Sequence, residues 1–195
     1  MKKILFVLIG GLIIASCSCS NKNPKKQEVA KIVVENTIST DRETMSLRDS
    51  NYKWFETGIL FEKYLDEEND GAISEVVNVF QTIEGDSISF DTEVFKFQHF
   101  SNGTFASDSV KGFWIEDYPL NEEEIKVTFD SAYALINQVN LPKPHSRYCT
   151  LRKPIGPKDC NAQWIFGNMN SQLWVDAKTG EIRESNPAFP DEFKN

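Results

Sequence analysis

Residues 162–184 constrain this chain more than any other stretch: Trp164-Ile165-Phe166-Gly167, then Ser171-Gln172-Leu173-Trp174-Val175, then Asp176-Ala177-Lys178-Thr179-Gly180-Glu181-Ile182. The pattern reads strand, strand, tight turn, strand. Leu173 and Val175 share one face of a two-residue period, while Gln172, Trp174 and Asp176 share the other, as in a strand lying against a core. The chain must then reverse, and Gly180 supplies the positive φ that a hairpin needs. Asp176 accepts hydrogen bonds from the turn's amides, as aspartates do in Asx turns; a site carboxylate is its second reading.

Residues 174–182 resemble the closing strand-turn-strand of PepSY domains, and residues 127–139 are similar to the helix that opens them. The segment from Cys149 to Cys160 is not part of that family's usual pattern. The resemblance implies a small α+β unit, exported or membrane-associated, that modulates a protease or binds a partner without catalysis.

At the other end, Lys2-Lys3, an apolar run to Ile14 and the small pair Ala15-Ser16 have the layout of a secretory signal, residues 1–16. The run is too short for a stable membrane anchor. Ile14-Ala15-Ser16-Cys17 resembles a bacterial lipobox, which makes Cys17 the lipidated first residue of an envelope protein, on the periplasmic side or at the cell surface. Plain secretion with cleavage nearby is the alternative. Residues 17–42 are rich in Asn, Lys and Ser and read as a lipidated tether beside the membrane.

Beyond the tether the chain is acidic. Its net charge of −8 becomes about −10 once Lys2 and Lys3 leave with the signal. Clustered Lys and Arg are absent, which argues against DNA and RNA as partners. Residues 43–119 read as a β-rich unit: 54–61, 76–83, 90–100 and 105–115 are strand-like, with reversals at Asn69-Asp70-Gly71, Glu84-Gly85-Asp86 and Asn102-Gly103. Trp54, Phe61 and Leu65 also fit a helical stripe. Residues 120–195 form the second, PepSY-like unit. There Ile125-Lys126-Val127 reads as a strand, Thr128 caps a helix with an Ala132, Leu135, Ile136 and Val139 stripe, and residues 146–152 read as a strand. The first unit as a diverged copy of the second stays open, since no residue repeat shows it.

In an oxidising compartment Cys149 and Cys160, flanking a turn, are most simply a disulfide pinning a hairpin, a stabilisation of about 2–3 kcal/mol. Metal ligation by His145, Cys149 and Cys160, or a Cys149 nucleophile, fits the spacing less well. Asp66, Glu68 and Asp70, followed by Gly71, start like a calcium loop, but Val77 stands where the closing Glu belongs, so an ordinary acidic turn is the better reading. No Gly-x-Ser-x-Gly elbow or phosphate loop occurs.

The expectation is therefore an α+β protein: antiparallel sheet with a packed helix, a β-rich meander before a PepSY-like unit, no cofactor and no catalysis. It sits in the envelope through its lipid and binds a protein, such as a protease, through a strand or sheet face. A solute- or glycan-binding lipoprotein is the alternative. Trp114, Trp164, Trp174 and Asp176 are the expected binding surface.

Overall fold

The computed structural model describes residues 31–68, 70–83, 92–114, 117–155 and 161–185. Two helices lie on an eight-stranded antiparallel sheet, an α+β fold. In chain order the elements are α1 (Val34–Arg48), β1 (Tyr52–Phe61), β2 (Ile73–Thr82), β3 (Glu93–Phe100), β4 (Phe105–Lys111), a 3-10 turn (Glu122–Glu124), α2 (Phe129–Gln138), β5 (Tyr148–Arg152), β6 (Gln163–Asn168), β7 (Ser171–Asp176) and β8 (Ile182–Ser185). The strand order is β4-β3-β2-β1-β5-β6-β7-β8.

That order has a simple origin. Each half is a helix followed by a four-stranded meander, and the halves join through their first strands, with Gly58 opposite Thr150 in the antiparallel β1–β5 ladder. Both helices cover the same face, so an approximate two-fold axis normal to the sheet relates the halves. Phe61 ties them together: it lies on the face that holds Thr57 and Ile59, and its ring is 5.9 Å from that of Phe129 in α2. Across the helices, Glu35 accepts from the Phe129 amide at 2.7 Å, and Arg42 pairs with Glu122.

Apart from residues 125–127, the stretches expected to be strands hold strands, and the α2 cap is as read: Thr128 Oγ1 accepts from Ser131 N. Gly180 sits at φ +78°, and its amide donates to Asp176 O at 2.8 Å. Three expectations are corrected. The tether cannot run to residue 42, because α1 starts at Val34 and buries Val34, Ile38, Asp41 and Met45. Residues 125–127 are not a strand; Asn121 caps the 3-10 turn, and the Lys126 and Val127 amides both donate to Ala177 O, one acceptor that replaces a ladder. The expected disulfide is not seen: Cys149 is a free, fully buried thiol on the helix-covered face, while Cys160 lies outside the described residues. The signal and Cys17 also lie outside them, as do the 84–86 reversal, Asn69 and Ile115.

Candidate functional site: the helix-free face of the sheet

Strand parity sorts the side chains. The face under the helices carries Trp54, Ile59, Phe61, Phe80, Phe97, Leu151, Trp164, Phe166, Leu173 and Val175, which form one apolar core. The opposite face carries Glu56, Gly58 and Leu60 on β1, Glu75, Val77 and Val79 on β2, Lys96 and Gln98 on β3, and Tyr148 and Thr150 on β5. No described helix covers it. Two residues after β4 lie against it: Trp114 N donates to Gln81 Oε1 at 3.0 Å, and Asp117 takes two bonds from Arg152 at 2.6 and 3.1 Å. The chain then rounds the end of the sheet, where Leu120 N donates to Trp54 O.

Trp114 bounds a trench of about 310 Å³ over the middle of the sheet. Its floor is Gly58, Val77 and Val79, and its walls include Trp114 and Tyr148, 37% and 58% exposed. The Trp114 indole is fixed from two sides, donating Nε1 to Glu56 Oε2 at 3.2 Å and receiving the Lys96 ammonium 3.7 Å from its ring centroid. Burial pushes the Glu56 carboxyl above its ordinary range, against the opposing pull of the Trp114 bond and of Arg152. A larger cleft beside α1, about 570 Å³, contains Arg42 and Lys53, but those cations are already taken by Glu122 and by the Ser50 carbonyl.

Glu56 yields a stability prediction. A carboxyl whose folded pKa is raised contributes stability fully below the unfolded value of 4.5, and that stability is lost as pH rises through the folded pKa. Gln at this position still accepts from Trp114 but carries no charge. Glu56→Gln is therefore expected to melt higher than wild type at pH 7–8, with the gain vanishing towards pH 4. A constant difference across that range would contradict the burial of this charge.

The expected site residues scatter. Trp114 reaches the trench. Trp174 lies on the same face but three strands from β1, about 14 Å away by strand spacing, with Nε1 donating to Gln172 and the Arg183 guanidinium 4.5 Å from its ring centroid. Trp164 is no surface at all; it is 1% exposed, and its indole donates to Val127 O at 2.9 Å. Asp176 is the turn-former: burial favours its protonated form, but bonds from Asn161, Thr179, Lys178 and Gln163 outweigh that and lower its pKa. In the acidic loop, Asp66 pairs with His145 at 3.0 Å, and Asp70 accepts from the Ala72 amide. Among the described residues no three His, Cys, Asp or Glu side chains stand together as metal ligands.

Sequence reasoning missed Glu56, Gly58, Lys96 and Tyr148. A signal existed for one of them, because an isolated glycine inside an apolar strand marks a close approach or an opening.

No protein-family profile and no curated protein matches the chain. Among solved structures, a lipoprotein candidate from Clostridium difficile 630 superposes with a TM-score of 0.46 at 13% identity, over 85% of this chain and 100% of that one.

Proposed function

We propose that this protein is a non-catalytic module, held at the cell envelope by a lipid on Cys17, that binds a protein partner across the helix-free face of its sheet. The observation that carries this reading is the asymmetry of the sheet: one face is sealed by α1 and α2, whereas the other presents Trp114 and Tyr148 around an open trench. Rigid, amphipathic aromatics beside a desolvated pocket are the usual anchors of protein interfaces. The PepSY resemblance of residues 174–182 is in keeping with a modulator of an envelope protease. A non-catalytic role agrees with Cys149, whose complete burial pushes its thiol well above the ordinary range and removes it as a nucleophile. Aromatic walls beside a carboxylate also suit a sugar ring, so glycan binding at the same trench is the second reading.

One experiment tests both halves. The Cys17→Ala chain is expected in the soluble fraction rather than with membranes, and, once immobilised, to retain an envelope protein that Trp114→Ala and Tyr148→Ala variants release. Cys17→Ala protein that stays on membranes removes the lipid anchor from the reading. Capture indifferent to both aromatics removes the face.

A further inference from the structure

We infer that the trench is a receptor for one basic side chain of the partner, its aliphatic stem along Gly58, Val77 and Leu60 and its cationic head against the Glu56 carboxylate; this rests on the helix-free face being the docking surface.

The floor points to an occupant. Gly58 lies in the middle of β1, paired on both sides, and its backbone is not in the left-handed region. Glycine weakens a strand interior, so a glycine here needs another reason. A Cβ built on Gly58 would meet only Glu56 Oε1 at 3.8 Å and Val77 O at 4.0 Å, both ordinary contacts. The fold has room for a side chain at this position and keeps the space open.

Among the described residues, the carboxylate at that opening is under-paired. Glu56 Oε1 lies over the glycine, and Oε2 has the Trp114 indole as its hydrogen-bond donor. The cations near it are otherwise engaged: Arg152 is held in a fork by Asp117, and Lys96 rests on the outer partner, the Trp114 ring. The second carboxylate of the trench, Glu75, takes one bond from Gln98 at 3.1 Å. Among the described lining residues, two carboxylates against the single Lys96 leave the trench net negative. A half-buried, half-satisfied carboxylate calls for a charge-assisted donor. Apolar floor, aromatic walls and an anionic end match a long side chain with an aliphatic stem and a cationic head, which packs its methylenes and places its charge over aromatic faces. The chain's net charge of −8 favours a basic partner as well.

The test titrates the ¹⁵N-labelled Cys17→Ala chain with Nα-acetyl-lysine methylamide and Nα-acetyl-arginine methylamide, against the norleucine analogue as a neutral match in length. The Gly58 amide and Trp114 indole signals are expected to shift saturably with either cation and about tenfold more weakly with norleucine. Glu56→Gln, which keeps the Trp114 bond and the fold, is expected to abolish the preference, and Gly58→Leu to abolish the shifts. Equal response to norleucine, no response, or an unchanged preference in Glu56→Gln overturns the inference; so does a response confined to a panel of neutral sugars. If partner capture depends on Trp114 and Tyr148 while both cations fail, the docking face stands and the basic side chain falls. If the cations bind but capture ignores the aromatics, the docking reading falls and takes with it the partner as the source of the side chain.

Discussion

Replacing Trp164 with alanine is expected to cost about 3–5 kcal/mol of stability, a large part of what a domain of this size possesses, whereas Trp114→Ala should cost under about 1 kcal/mol. The two residues have the same side chain but different surroundings. Trp164 is 1% exposed where the start of α2 meets β6, with Phe129 edge-on at 5.7 Å. Its truncation leaves a cavity and strips the Val127 carbonyl of its indole donor. Trp114 stands on the open face, so its loss mainly frees Lys96 and deepens the burden on Glu56. Urea unfolding checks both: the midpoint of Trp164→Ala should fall sharply at unchanged slope. A loss below about 1 kcal/mol for Trp164 would mean that the α2–sheet junction is not where the core is anchored.

Trp164 and Trp174 show what was legible in the sequence. Period-two patterning places Trp164 with Phe166 and Trp174 opposite Val175, and the ladders confirm those groupings. Alternation alone cannot say which face the helices will cover, so a tryptophan in the core and one on the surface look alike. The closing turn was readable because Asp176 and Gly180 act locally, and the α2 start because Thr128 does. Helix α1 was hidden for a physical reason. Its inward positions, Val34, Ile38, Asp41 and Met45, follow helical spacing, but an aspartate interrupts the apolar stripe by which a helix is recognised. The trench was illegible because its parts come from β1, β2, β3, β5 and Trp114, brought together only by the fold.

That aspartate carries the second large prediction: Asp41→Ala is expected to cost about 3 kcal/mol or more. Aligning the two helices by their caps, Val33 and Thr128, sets Asp41 where α2 has Ile136. The strands repeat the contrast. The helix-covered positions of the second half are Cys149, Leu151, Trp164, Phe166, Leu173 and Val175, all apolar, whereas the first half places Thr57, Asn78 and His99 there. These form one network: Asp41 Oδ2 takes a bond from Asn78 Nδ2 at 2.7 Å and meets His99 Nε2 at 2.8 Å, while Asn78 Oδ1 accepts from Thr57 at 2.6 Å. Asp41 is 2% exposed, and burial holds its carboxyl above the ordinary range despite Asn78 and His99. Alanine leaves Asn78 and His99 facing a void, which is worse than having no network. Replacing the three fully buried members together, with Asp41→Leu, Asn78→Leu and Thr57→Val, mimics the second half, leaves the 20% exposed His99 side chain to water, and is expected to recover most of the loss. Trp54 Nε1 keeps the Glu56 carbonyl as its acceptor in that variant. Denaturant midpoints of the single and triple variants decide the matter. A triple variant no better than Asp41→Ala would show that α1 needs this polar lock to find its place on the sheet, and an Asp41→Ala loss under about 1 kcal/mol would show that the network holds nothing.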